Sequence, residues 1–182
     1  MRVTVPETRQ KRNRYTPLAG YIGLLLLLIA TSGFSVSFEE AVELENEGKI
    51  DEARSAYQTL LQNGDENFCL ITSRLADITK GLQEKRRLLE EGLEKCQEPV
   101  LRHSYYIRLA RLEEISGNLE TAQGYYQSAS LAVPEKKDFD SLLSSAILLF
   151  EIGSYRGAEA QATVIIETAK NNRLKSEARV LL

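Results

Sequence analysis

The chain has 182 residues, 43% hydrophobic and 27% charged, with a formal net charge of −3, 11 Gly and 4 Pro. That length suits one domain with a sizeable core, and the charged fraction excludes a protein embedded throughout in a membrane. Gly and Pro are too few for long disorder, and Val, Ile and Thr rarely alternate with polar residues, so an all-α chain is expected. The charge is uneven: residues 1–37 carry Arg2, Arg9, Lys11, Arg12 and Arg14 against Glu7 alone, while residues 38–182 carry 18 Lys/Arg against 25 Asp/Glu. A body of net −7 gives no electrostatic support for a nucleic-acid partner.

The first predicted element is the uncharged run LAGYIGLLLLLIATSGFSVSF, Leu18–Phe38, which follows the basic KRNR at Lys11–Arg14. A basic start, an apolar centre and small residues beyond it describe a secretory signal, with Ser35 and Ser37 placed for a cut after Ser37. The alternative is a retained anchor to the inner membrane, since residues 18–37 are just long enough to span about 30 Å of hydrocarbon. Membrane contact is expected only through that segment, if uncleaved. Either way the basic flank stays in the cytoplasm and the body, from residue 38 on, lies outside it, in the periplasm or an equivalent compartment.

Past Phe38 the chain repeats itself. GKIDEARSAYQTLL (Gly48–Leu61) and GNLETAQGYYQSAS (Gly117–Ser130) share an aliphatic residue at +2 from the glycine and an acidic one at +3. They also share Ala at +5 (Ala53, Ala122) and Tyr-Gln at +9 and +10. GSYRGAEAQATVI (Gly153–Ile165) is a third copy, and GLQEKRRLLEEGL (Gly81–Leu93) a divergent fourth. Steps of 33, 36 and 36 residues between these glycines mark an array of stacked helical hairpins.

The best copy, His103–Lys136, places Tyr106, Leu109 and Ala110 on a first helix, and Ala122, Tyr126, Ala129 and Pro134 on a second and its exit. In this pattern the chain resembles the tetratricopeptide repeat (TPR) family over residues 38–182. The resemblance implies antiparallel helical hairpins stacked as a TPR-like right-handed solenoid. The hairpins are expected at 38–65, 66–99, 103–136 and 139–170, with 173–182 starting a further helix that is either a cap or the start of a hairpin in a longer protein. Small residues let paired helices cross closely, glycine takes the turn, Tyr126 fills the wedge between hairpins and Pro134 stops the second helix. Gly124 is the misfit of that copy, explicable if it allows close contact with the next hairpin. The 66–99 copy departs most, with Lys85 where Ala is expected and Gly92 in place of the second Ala, and Ala162 replaces an aromatic in the last.

Cys69 and Cys96 are the only cysteines. A hairpin over 66–99 brings the start of its first helix beside the end of its second, so a disulfide is expected, stapling the weakest repeat; two free buried thiols are the alternative. The sequence has no phosphate-binding glycine loop, GxSxG or HExxH, and its one histidine, His103, has no companion ligand, so neither cofactor nor metal is expected and no enzyme activity. Glu90-Glu91 and Glu113-Glu114 read as solvated helix faces, His103 as a surface or capping residue before its helix, and Lys85-Arg86-Arg87 as partners of Glu84 and Glu90.

What remains is a binding surface. The resemblance implies that the first helix of each hairpin lines a concave groove that takes a partner's peptide or helix. The corresponding positions are Arg74 and Asp77 in the second hairpin, Ile107, Arg111 and Glu114 in the third, and Leu143, Ile147 and Phe150 in the fourth. It further implies a bacterial cell-envelope scaffold, or a TPR module of a larger envelope protein whose C-terminal region carries cell-wall binding or enzymatic activity.

Overall fold

A computed structural model describes residues 36–133 and 135–182. The signal or anchor segment, apart from Val36 and Ser37, and the stop residue Pro134 lie outside the described residues. Among those described there are nine helices and no strands: α1 (Phe38–Asn46), α2 (Ile50–Gln62), α3 (Phe68–Ile78), α4 (Leu82–Lys95), α5 (Pro99–Ile115), α6 (Leu119–Ala132), α7 (Phe139–Glu151), α8 (Tyr155–Thr168) and α9 (Asn172–Arg179). Each packs on the next in chain order, and α9 rests on both α8 and α7. No helix of the described residues is long and apolar enough to cross a membrane.

The compact body starts at Val36, two residues before the boundary read from the sequence. Val36 packs against the core. Ser37 caps α1 through a reciprocal box, its hydroxyl accepting from the Glu40 amide at 3.2 Å and its own amide donating to the Glu40 carboxylate at 2.9 Å.

Three hairpins turn in the same way. Gly48, Gly117 and Gly153 have φ of 77°, 80° and 83°, the left-handed region that glycine enters without a Cβ penalty. At Gly117 the next amide, Asn118, donates to Glu113 carbonyl at 2.9 Å and Gly117 donates to Glu114 carbonyl at 3.0 Å, satisfying carbonyls the helix end leaves open. The second hairpin differs: Gly81 has φ −76° and serves as the N-cap of α4, so it is not a turn glycine of this kind.

The alanines five residues after the three turn glycines, Ala53, Ala122 and Ala158, are all 0% exposed. Ala162, which replaces the third wedge aromatic, is equally buried and joins a separate core cluster with Ile165 and Leu174. One glycine reading needs correction. A Cβ built on Gly124 meets nothing within 4 Å, so Gly124 makes no close approach to the next hairpin. Gly92 does: a Cβ there would lie 2.4 Å from Tyr105 Cζ, because the fully buried Tyr105 ring packs against α4 at Gly92.

That ring organises the second hairpin. Tyr105 Oη donates to Cys69 carbonyl at 2.6 Å, beside the Cys69–Cys96 disulfide, whose Cα atoms are 5.8 Å apart. Burial pushes the Tyr105 phenol up to about 12, with Asp77 adding to the rise and Arg108 opposing it.

Candidate functional site: the face of the first helices

The odd-numbered helices α1, α3, α5, α7 and α9 are tied to one another by side-chain bonds, one step at a time. Arg74 on α3 reaches Glu45 on α1 at 3.2 Å. Arg108 on α5 reaches back to α3, donating to Ser73 Oγ at 2.7 Å and Asp77 at 2.9 Å. His103 on α5 meets Asp138, the N-cap of α7, at 2.8 Å, and Arg173 on α9 meets Asp140 on α7 at 2.6 Å. Each bond joins a hairpin to the next through its first helix.

The wedge tyrosines serve the same face from behind. Tyr57 donates to Glu45 at 2.7 Å and Tyr126 to Glu114 at 2.9 Å, both across twelve residues. Burial and the adjacent carboxylate raise both phenols, Tyr126 to about 12. Arg111, one turn back from Glu114 on α5, is the cation beside the Tyr126 phenol.

The eight residues expected to line the groove therefore separate. Arg74 and Asp77 are engaged in ties between helices. Ile107 is half-buried and Arg111 and Glu114 are exposed. Ile147 and Phe150 on α7 are 40% and 45% exposed, and the Phe150 ring meets Tyr155 edge-on at 5.2 Å. Leu143 is a correction: it is 5% exposed, packed in the core with Ile165 and Leu174, and offers nothing to a partner.

Three charged positions also differ from the sequence reading. His103 is not a surface residue ahead of its helix; α5 starts at Pro99, capped by Glu98, and His103 sits in its second turn, half-buried. Burial alone raises the Asp138 carboxyl, but hydrogen bonds from Ser141 and His103 outweigh it and hold the group below its ordinary value. Glu113 is not solvated: it is 5% exposed, paired with Arg86 at 2.8 Å and accepting from Asn118 at 2.6 Å. The trio Lys85-Arg86-Arg87 is thus divided, Arg87 bonding Glu84 and Glu91 along its own helix and Arg86 crossing to α5. Lys85 enters none of the ion pairs among the described residues.

Lys85 instead borders a crevice of about 210 Å³ at the α3–α4 tip, closed on its far side by the last turns of α5. Ala76, Leu89 and Leu112 form its floor; Leu82 and Ile115, 51% and 76% exposed, flank its mouth. Sequence reading missed this site. The available signal was the pair of large aliphatics, Leu82 and Ile115, placed beside Gly81 and Gly117, where polar residues are the rule. Among the described residues no group of His, Cys, Asp or Glu is arranged to hold a metal.

Stacked helical hairpins, glycine turns and small-residue crossings define the fold as that of a TPR array. A solved structure bears this out: the chain is similar to a tetratricopeptide repeat protein from Parabacteroides merdae, with a TM-score of 0.63 and 18% identity over 79% of this chain. The match covers 56% of that protein, so this chain spans little more than half its length. No family model and no curated protein matches the sequence.

Proposed function

We propose that the protein is a non-catalytic scaffold of the bacterial cell envelope that holds a partner peptide or helix against the face of its first helices. The observation that carries this reading is the exposure of Ile147 and Phe150 on α7, next to an α5 whose Arg111 is exposed. Large apolar groups left in solvent beside a charged rim are what a partner's side chains desolvate on docking. The bonded cysteine pair fits an oxidising compartment outside the cytoplasm, in keeping with the basic-then-apolar N-terminal segment.

The test has two arms. Full-length protein is used to capture partners from envelope extracts, beside an Ile147→Ser/Phe150→Ser variant of unchanged helix content. A discrete partner lost from the variant supports the proposal; retention of every partner by the variant sinks it. Fractionation with N-terminal sequencing tests the location. Recovery of the protein in the cytoplasmic fraction with reduced cysteines rules out the envelope assignment.

A further inference from the structure

The crevice at the α3–α4 tip lies off the α7 surface that carries the proposed function, and its charges set it apart from the rest of the body. Of the four charged side chains at its rim, Arg108 and Asp77 neutralise each other at 2.9 Å, and Arg108 is further held by Ser73. Lys85 and Arg111 remain, and neither enters an ion pair among the described residues. Lys85, and Arg111 beside the Tyr126 phenol, thus border one opening in a body where acidic residues outnumber basic ones by 25 to 18. Between them lies an apolar floor, large enough at about 210 Å³ for one bulky side chain; a cavity of roughly 150 Å³ holds benzene.

We infer that this crevice is a docking site for an acidic segment of a partner protein, one that inserts a single bulky apolar side chain between Leu82 and Ile115 and sets flanking carboxylates against Lys85 and Arg111. Charge complementarity selects this occupant. A basic or neutral segment leaves both cations unpaired, whereas an Asp or Glu on either side of the anchor meets one each, and the apolar floor desolvates the anchor. The inference rests on the scaffold reading and adds a second, chemically defined contact to it. Both cations stand on the rim, so their contribution falls with salt as the Debye length shrinks to about 3 Å at 1 M.

The experiment pans a random library of internal peptides, displayed on phage, against the full-length protein in mild detergent, then measures the selected peptides by fluorescence anisotropy. Selected sequences are expected to carry Asp or Glu on both sides of a Phe, Leu, Ile or Met. They should bind a Leu82→Asp/Lys85→Glu variant at least tenfold more weakly and lose affinity in 1 M salt. Both substitutions are on exposed or half-exposed positions, and circular dichroism checks that the variant keeps its helix content. Selection of basic or uncharged peptides, or unchanged binding by the variant, overturns the inference. So does a dimer of the full-length protein that the same substitutions dissociate, which makes a second copy the occupant. If peptides are lost with Ile147→Ser/Phe150→Ser and not with the crevice variant, the scaffold reading stands and this inference falls. If no peptide is selected and no partner is captured, both fall.

Discussion

The second and third hairpins close by different means. In α5/α6 the closure is local and repeated in the sequence: Gly117 makes the turn, Ala110 and Ala122 are fully buried where the helices cross, and Tyr126 fills the wedge. In α3/α4 the turn glycine is absent, Lys85 holds the place of the crossing alanine, and the hairpin is joined at its open end by Cys69–Cys96. Its wedge is supplied from outside, by Tyr105 of the next hairpin lying on Gly92. One hairpin carries its own closure, and the other depends on a covalent bond and on its neighbour. A linear array tolerates this because each unit needs only its adjacent interfaces to be complete.

The sharpest way to break that contrast is to remove the staple. Cys69→Ser with Cys96→Ser should cost about 3 kcal/mol, the scale for freeing a loop of this length, and lower the denaturant midpoint without losing the third hairpin first. Equal stability of oxidised wild type and double variant would mean that α3/α4 closes without the bond. Gly92→Val should follow at about 2 kcal/mol, since the new side chain must displace the buried Tyr105 ring; hydrogen exchange should show α4 and α5 opening together. If only α4 loosens, Tyr105 is not the shared wedge.

Asp138 tests the seam between the third and fourth hairpins, away from both closures. Asp138→Ala should cost about 1 kcal/mol near neutral pH, the scale of an N-cap. Because the folded carboxyl is held below its ordinary 3.8, its contribution is present above that value and lost as pH falls through the lower folded value. Thermal unfolding of wild type and variant should therefore converge in acid, and a gap that persists at the lowest pH contradicts the assignment. The smallest effect has the opposite sign. Gly124→Ala should raise stability by roughly 0.5–1 kcal/mol, since the position is helical, exposed and open to a Cβ. A loss there would reveal a contact that the open space around Gly124 does not show.

The hairpins themselves were legible because their determinants are short-range. Gly117, Ala122 and Tyr126 act within one turn-and-helix unit, so their spacing survives as a readable pattern, and its recurrence at Gly48 and Gly153 identifies the array. The site was less legible. Leu143 stood at a groove position by register, yet α8 and α9 cover it, and no local signal separates it from the exposed Ile147 one turn on. Gly92 looked like a weak alanine and His103 like a surface residue because their partners, Tyr105 and Asp138, belong to other helices.

From residue order alone came the all-helical class, the hairpin period, the turn glycines, the buried alanines and the candidate cysteine pair, since each depends on neighbours within about one repeat. Only the tertiary structure decided which cations are spent on ties between hairpins, as Arg74, Arg86 and Arg108 are, and which remain at a rim, as Lys85 and Arg111 do. The physical reason is that an ion pair between hairpins is a property of two surfaces brought together by stacking, and the charge pattern along one helix does not contain the other surface.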